Sequence, residues 1–77
     1  MEIKARMPGI ILEIKVKPGD HVYRREILGY LEAMKMEQPI LSPKEGDIQE
    51  ITAEQGLWVK RNQVLMTLEP SGEARNV

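Results

Sequence analysis

Cysteine and phenylalanine are both missing from this 77-residue chain, which has one histidine, one tryptophan and two tyrosines. Without thiols there is no disulfide and no thiolate metal site to brace so short a chain, and their absence fits a reducing compartment. A single histidine, His21, cannot build a His-rich metal centre or a Ser-His-Asp assembly. Tyr23, Tyr30 and Trp58 are scattered and form no base-stacking platform. Charge of one sign is lacking too. In a chain of net charge −1, Arg24–Arg25 and Lys60–Arg61 are the largest basic clusters, too little for a phosphate-tracking surface. No apolar run exceeds that of Ile10 to Leu12, far below a membrane span. "MEIKARM" lacks the apolar stretch of a signal peptide, and no Gly-rich phosphate loop is present. The expectation is a soluble, cytoplasmic, mostly β domain with one core, with no nucleic-acid or membrane partner.

What is present is a motif written twice. "GIILEIKVKPGDHVYRREILGYLE" (Gly9 to Glu32) aligns without gaps on "GDIQEITAEQGLWVKRNQVLMTLE" (Gly46 to Glu69). Gly9/Gly46, Glu13/Glu50, Ile14/Ile51, Gly19/Gly56, Val22/Val59, Arg24/Arg61, Leu28/Leu65, Leu31/Leu68 and Glu32/Glu69 are identical. Two copies are too few for a solenoid and predict a closed unit with pseudo-two-fold symmetry, each half covering the other's apolar face. Short apolar, β-branched stretches broken by Gly and Pro predict about eight short strands, four per half. In "ILEIKVK" the alternation predicts Leu12, Ile14 and Val16 inward, with Glu13, Lys15 and Lys17 outward. "HV" and "WV" read as very short strands, with His21 and Trp58 partly exposed beside the Gly19 and Gly56 turns. The Leu28 to Leu31 spacing predicts a bulge. No window sustains helical periodicity over the roughly 10–12 residues a stable helix needs. Met1, Met7 and Met66 read as core or edge fillers. Residues 1–70 form the expected domain, with a flexible polar tail over 71–77.

Between the copies lies "EAMKMEQP", Glu32 to Pro39. Its residues favour helix, yet six of them closed by Pro39 are too few for one. A hairpin joining strands Ile27–Glu32 and Met36–Leu41 is the better reading, with Pro39 in the return strand. Two-residue hairpin turns require φ > 0, normally from Gly, Asn or Asp, and Met34–Lys35 supplies none. A local rule broken at one exposed spot points to side chains chosen for function. Lys35 is the reactive candidate, flanked by polarizable methionines suited to docking. The bland alternative is a solvated turn lysine, with Met34 and Met36 straddling the core edge. Glu32 and Glu37 read as solvated edge groups flanking the hairpin.

"EAMKME", placed midway through a duplicated β-domain, resembles the attachment motif of biotinyl domains, the biotin carboxyl carrier modules of biotin-dependent carboxylases. The resemblance runs from "MPG" (Met7 to Gly9) to Leu68–Glu69. It implies an all-β fold, a flattened eight-stranded barrel or sandwich with quasi-two-fold symmetry and the modified lysine at a hairpin tip. It further implies that Lys35 carries biotin covalently, with Glu32, Ala33, Met34, Met36 and Glu37 as recognition residues around it. The implied partners are a biotin protein ligase, a biotin carboxylase using ATP and bicarbonate, and a carboxyltransferase acting on an acyl-CoA or pyruvate. The carrier itself would catalyse nothing. Family members usually have Gly where this chain has Arg25, so Arg25 either strains the turn or forces another one; Asn62 can substitute for Gly in the second copy. No thumb insertion separates Gly19 from Ile27, which resembles the thumb-less carriers of pyruvate and propionyl-CoA carboxylases and the small attachment proteins. Lipoyl domains share this fold, but their lysine is typically preceded by Asp and followed by Ala, which favours biotin over lipoate. An unmodified binding module of the same fold is a further alternative.

Overall fold

Eight strands form where the apolar spacing and the Gly or Pro breaks place them. They are β1 (Glu2–Lys4), β2 (Gly9–Ile14), β3 (His21–Val22), β4 (Ile27–Ala33), β5 (Met36–Leu41), β6 (Gly46–Ile51), β7 (Trp58–Val59) and β8 (Val64–Pro70). The computed structural model describes residues 1–71, and among these there is no helix. The flexible tail expected over 71–77 lies outside the described residues except for Ser71, whose N–H donates to the Glu45 carbonyl at 3.0 Å.

The strands make two four-stranded antiparallel sheets, β1-β8-β6-β3 and β5-β4-β2-β7. Exchanging β1 with β5, β2 with β6, β3 with β7 and β4 with β8 turns one order into the other, so the duplicated sequence has become a quasi-two-fold sandwich. Each sheet draws two strands from each half, β1–β4 and β5–β8, and neither half can close a core alone. The core is built from the matched positions: Ile11 and Ile48, Val22 and Val59, Leu28 and Leu65, Leu31 and Leu68 are all buried. Each such side chain contributes about 1.5–3 kcal/mol by leaving water.

Backbone details repeat with the sequence. Gly19 and Gly56 have φ of 94° and 87°. Their N–H groups donate at 2.7 Å to the carbonyls of Ile48 and Ile11, each in the other copy. Arg25 and Asn62 both have φ of 71°, so Arg25 adopts the strained turn and does not switch to another. A left-handed conformation costs such a residue about 1–2 kcal/mol. The turn is tied by Glu26, whose N–H reaches the Tyr23 carbonyl at 2.9 Å while its carboxylate accepts from the Tyr23 N–H at 2.8 Å.

The bulge expected near Leu28 is present, as a register shift between Ile27 and Gly29. The alternation expected in β2 is corrected. Ile11 points inward, and a bulge between Ile11 and Glu13 changes the phase at Leu12, which is half-buried. Ile14 and Val16 return to the core side, but the strand ends at Ile14.

His21 stands opposite Asp47 across β3 and β6. Its Nδ1 lies 2.7 Å from Asp47 Oδ1 and its Nε2 2.8 Å from Glu45 Oε2. Both nitrogens donate only in the imidazolium, so the bond to Asp47 first, and that to Glu45 second, raise the pKa above the ordinary 6.5. With the folded value raised, the stabilisation is complete below about pH 6.5 and is lost as pH rises through the folded value. Melting temperature should therefore fall between about pH 6 and 8 in the parent chain and stay flatter in His21→Asn. Parallel curves for the two proteins would refute this.

Candidate functional site

The β4–β5 hairpin carries its register from Ile27↔Leu41 to Ala33↔Met36, leaving Met34 and Lys35 as a two-residue turn. The strand thus reaches Ala33, one residue beyond the expected end. Leu31, Ala33 and Ile40 are buried, which pins the register, because a one-residue slip would expose all three. Pro39 is accommodated because β5 is an edge strand with no outer neighbour.

Met34 and Lys35 have φ of 54° and 64°, the left-handed pair that this tight turn demands and that neither residue favours. Met34 is 86% exposed and Met36 62%, so they do not straddle the core edge. Lys35 is exposed, and among the described residues its amine has no hydrogen-bond or ion-pair partner. Glu32 and Glu37 face each other directly across the strands, a like-charge pair costing roughly 0.2–1 kcal/mol. Strain and repulsion therefore coincide at one end of the molecule. All six residues singled out from the sequence converge there, five of them exposed and Ala33 buried behind the turn.

A groove of about 430 Å³ runs along the hairpin's flank between β1 and β5, lined by Ile3, Arg6, Met7, Gln38 and Ile40 among others. Among the described residues no group of His, Cys, Asp or Glu side chains is placed to hold a metal. A covalent bond to the amine would hold a prosthetic group here. The free, protruding Lys35 amine suits that arrangement. A closed sandwich with an exposed lysine on a strained hairpin turn fits one class of protein: domains that carry an attached group on a hairpin tip.

The comparisons agree with this class. The biotin/lipoyl family model, described as biotin-requiring enzyme, matches residues 1–68. Pyruvate carboxylase 1 of Caenorhabditis elegans is 43% identical over 68 residues, 88% of this chain and 6% of that protein. The biotin/lipoyl attachment protein of Bacillus subtilis is 32% identical over 71 residues, 92% of this chain and 97% of that one. A single-chain, multi-domain long-chain acyl-CoA carboxylase shares the fold with a TM-score of 0.87 at 19% identity, over 100% of this chain and 8% of that one. The chain belongs to the biotin/lipoyl attachment family. It spans a small fraction of the carboxylases it matches and nearly the full length of the attachment protein.

The strained turn makes a prediction. Met34→Gly removes one left-handed penalty and should stabilise the fold by about 1 kcal/mol, a gain visible in thermal melts. If Met34 serves recognition, the same substitution slows acylation of Lys35. A stabilised variant modified at the parent rate would show that Met34 has no such role.

Proposed function

We propose that this chain is a biotin carboxyl carrier, non-catalytic in itself, with Lys35 as the residue that holds biotin. One observation carries the assignment: within a domain matched to the family over residues 1–68, the exposed, unpaired Lys35 amine stands on the inter-repeat turn between Met34 and Met36. Attached biotin would supply a ureido nitrogen that takes up and releases a carboxyl group. Lys35 Nζ gives up a proton, attacks the biotin carboxyl carbon activated by a biotin protein ligase and expels AMP. The second amine proton leaves as the amide forms. The deprotonation falls to the ligase. Ala33, buried against the sandwich, fixes the turn, while Glu32, Met34, Met36 and Glu37 present recognition groups. The carrier then serves two sites, a biotin carboxylase and a carboxyltransferase for an acyl-CoA or pyruvate, by keeping the arm at high local concentration.

Intact mass after co-expression with a biotin protein ligase tests this. One added biotin is expected. An unchanged mass would sink the proposal, and a lipoyl-sized increment would transfer it to lipoate, a reading kept open by the end-to-end match to a biotin/lipoyl attachment protein.

A further inference from the structure

The sheet register assembles a row of side chains that sequence proximity does not reveal. Trp58 on β7 pairs with Ile10 on β2, Ile10 with Glu32 on β4, and Glu32 with Glu37 on β5. Directly opposed residues share a face, so Trp58, Ile10, Glu32 and Glu37 line up across the outer surface of one sheet. Trp58 is 59% exposed and Ile10 39%. The row lies one residue pair behind Ala33↔Met36 and so immediately behind the turn. One end of it is apolar and the other acidic.

The duplication supplies an internal control. The matching positions on the other sheet are His21, Asp47 and Glu69, paired in the same register. That copy folds identically with polar groups where this one exposes an indole and an isoleucine. The fold therefore does not require Trp58 and Ile10 to be apolar. The apolar pair occurs on the face leading to Lys35, whereas the polar counterpart leads to the end of β8.

We infer that this row is the docking surface for the ligase that acylates Lys35, an inference that rests on the carrier reading above. The reacting atom, Nζ, is only a lysine side chain from the turn, and the row is about 7 Å behind it at the strand rise. An enzyme acting on Nζ works within reach of the row, one residue pair behind the turn. One acting at the far end of an attached arm meets the tip from farther away. The partner surface has an apolar cleft for the indole, beside basic side chains that relieve the Glu32–Glu37 repulsion. Tryptophan anchors of this kind dominate binding energy when desolvated.

The test transplants the other copy's residues: Trp58→His with Ile10→Asp. The double variant should melt near the parent temperature, while its kcat/KM for biotinylation falls by about 30-fold or more, mostly in KM for the carrier. Trp58→Ser, a milder change at an exposed position, should show the same KM effect if the double variant folds poorly. The reciprocal pair His21→Trp with Asp47→Ile, on the opposite face, should leave kcat/KM unchanged. Parent-like kinetics in folded Trp58 variants would overturn the inference while the carrier reading stands. So would normal biotinylation combined with slowed carboxylation, which would assign the row to a carboxylase partner. A parent chain that no ligase modifies removes both readings.

Discussion

Lys35→Arg abolishes the biotin mass gain while the melting temperature stays within about 0.5 kcal/mol of the parent in stability terms. Arginine retains the charge and a long stem, and Lys35 makes no ion pair or hydrogen bond whose loss could be felt. Its guanidinium cannot deprotonate, so no nucleophile remains at the tip. Lys4, Lys15, Lys17, Lys44 and Lys60 remain in the variant, but none stands on a tight hairpin turn with positive φ. Modification should therefore disappear and not move to another lysine. Peptide mapping of ligase-treated protein decides the matter. Biotin on another lysine in the variant would mean that the ligase reads accessibility and not the hairpin.

The hairpin was legible in the sequence because every relevant contact is local. The repeat boundaries bracket Ala33 to Ile40, the missing Gly or Asn marks the strained turn, and Glu32 faces Glu37 only a few residues away. The core was legible through the duplication, since the apolar positions matched in both copies are those the two-fold buries or half-buries. Phase along β2 was not legible. A bulge at Leu12 needs no special residue type, so nothing in "GIILEIK" announces that Ile11 and not Leu12 is the inward one. Partners supplied by distant strands were also hidden. His21 finds Asp47 and Glu45, and Trp58 finds Ile10, only because each short strand pairs with the other copy. Alignment places His21 opposite Trp58 in the repeat but cannot say which strands pair with them. At Arg25 the expected conflict was real, and the cooperative register of the sandwich overrode the local preference.

The largest loss of stability should come from the glycines that open the two central strand pairs, with the two copies giving different functional results. A Cβ on Gly46 would collide with the Glu69 carbonyl oxygen and lie 2.9 Å from both the Glu69 carbonyl carbon and Pro70 Cα. These are backbone atoms of the paired strand β8 and cannot move without parting the ladder. Gly9 meets the Glu32 carbonyl oxygen in the same way, with the Glu32 carbonyl carbon 3.1 Å away. Either alanine should cost about 3 kcal/mol, a drop of roughly 15 °C or more for a domain this small. Gly19, with φ of 94° and open space around it, should lose only about 1 kcal/mol as alanine. The two severe variants then diverge in function. Gly46→Ala disturbs the end of β8 near Pro70, whereas Gly9→Ala pushes on the strand end that supports the Lys35 turn. At a temperature where both remain folded, Gly9→Ala should be biotinylated more slowly than Gly46→Ala. Equal rates would mean that the ligase tolerates displacement of Glu32 and that the precise placement of the hairpin base is unimportant.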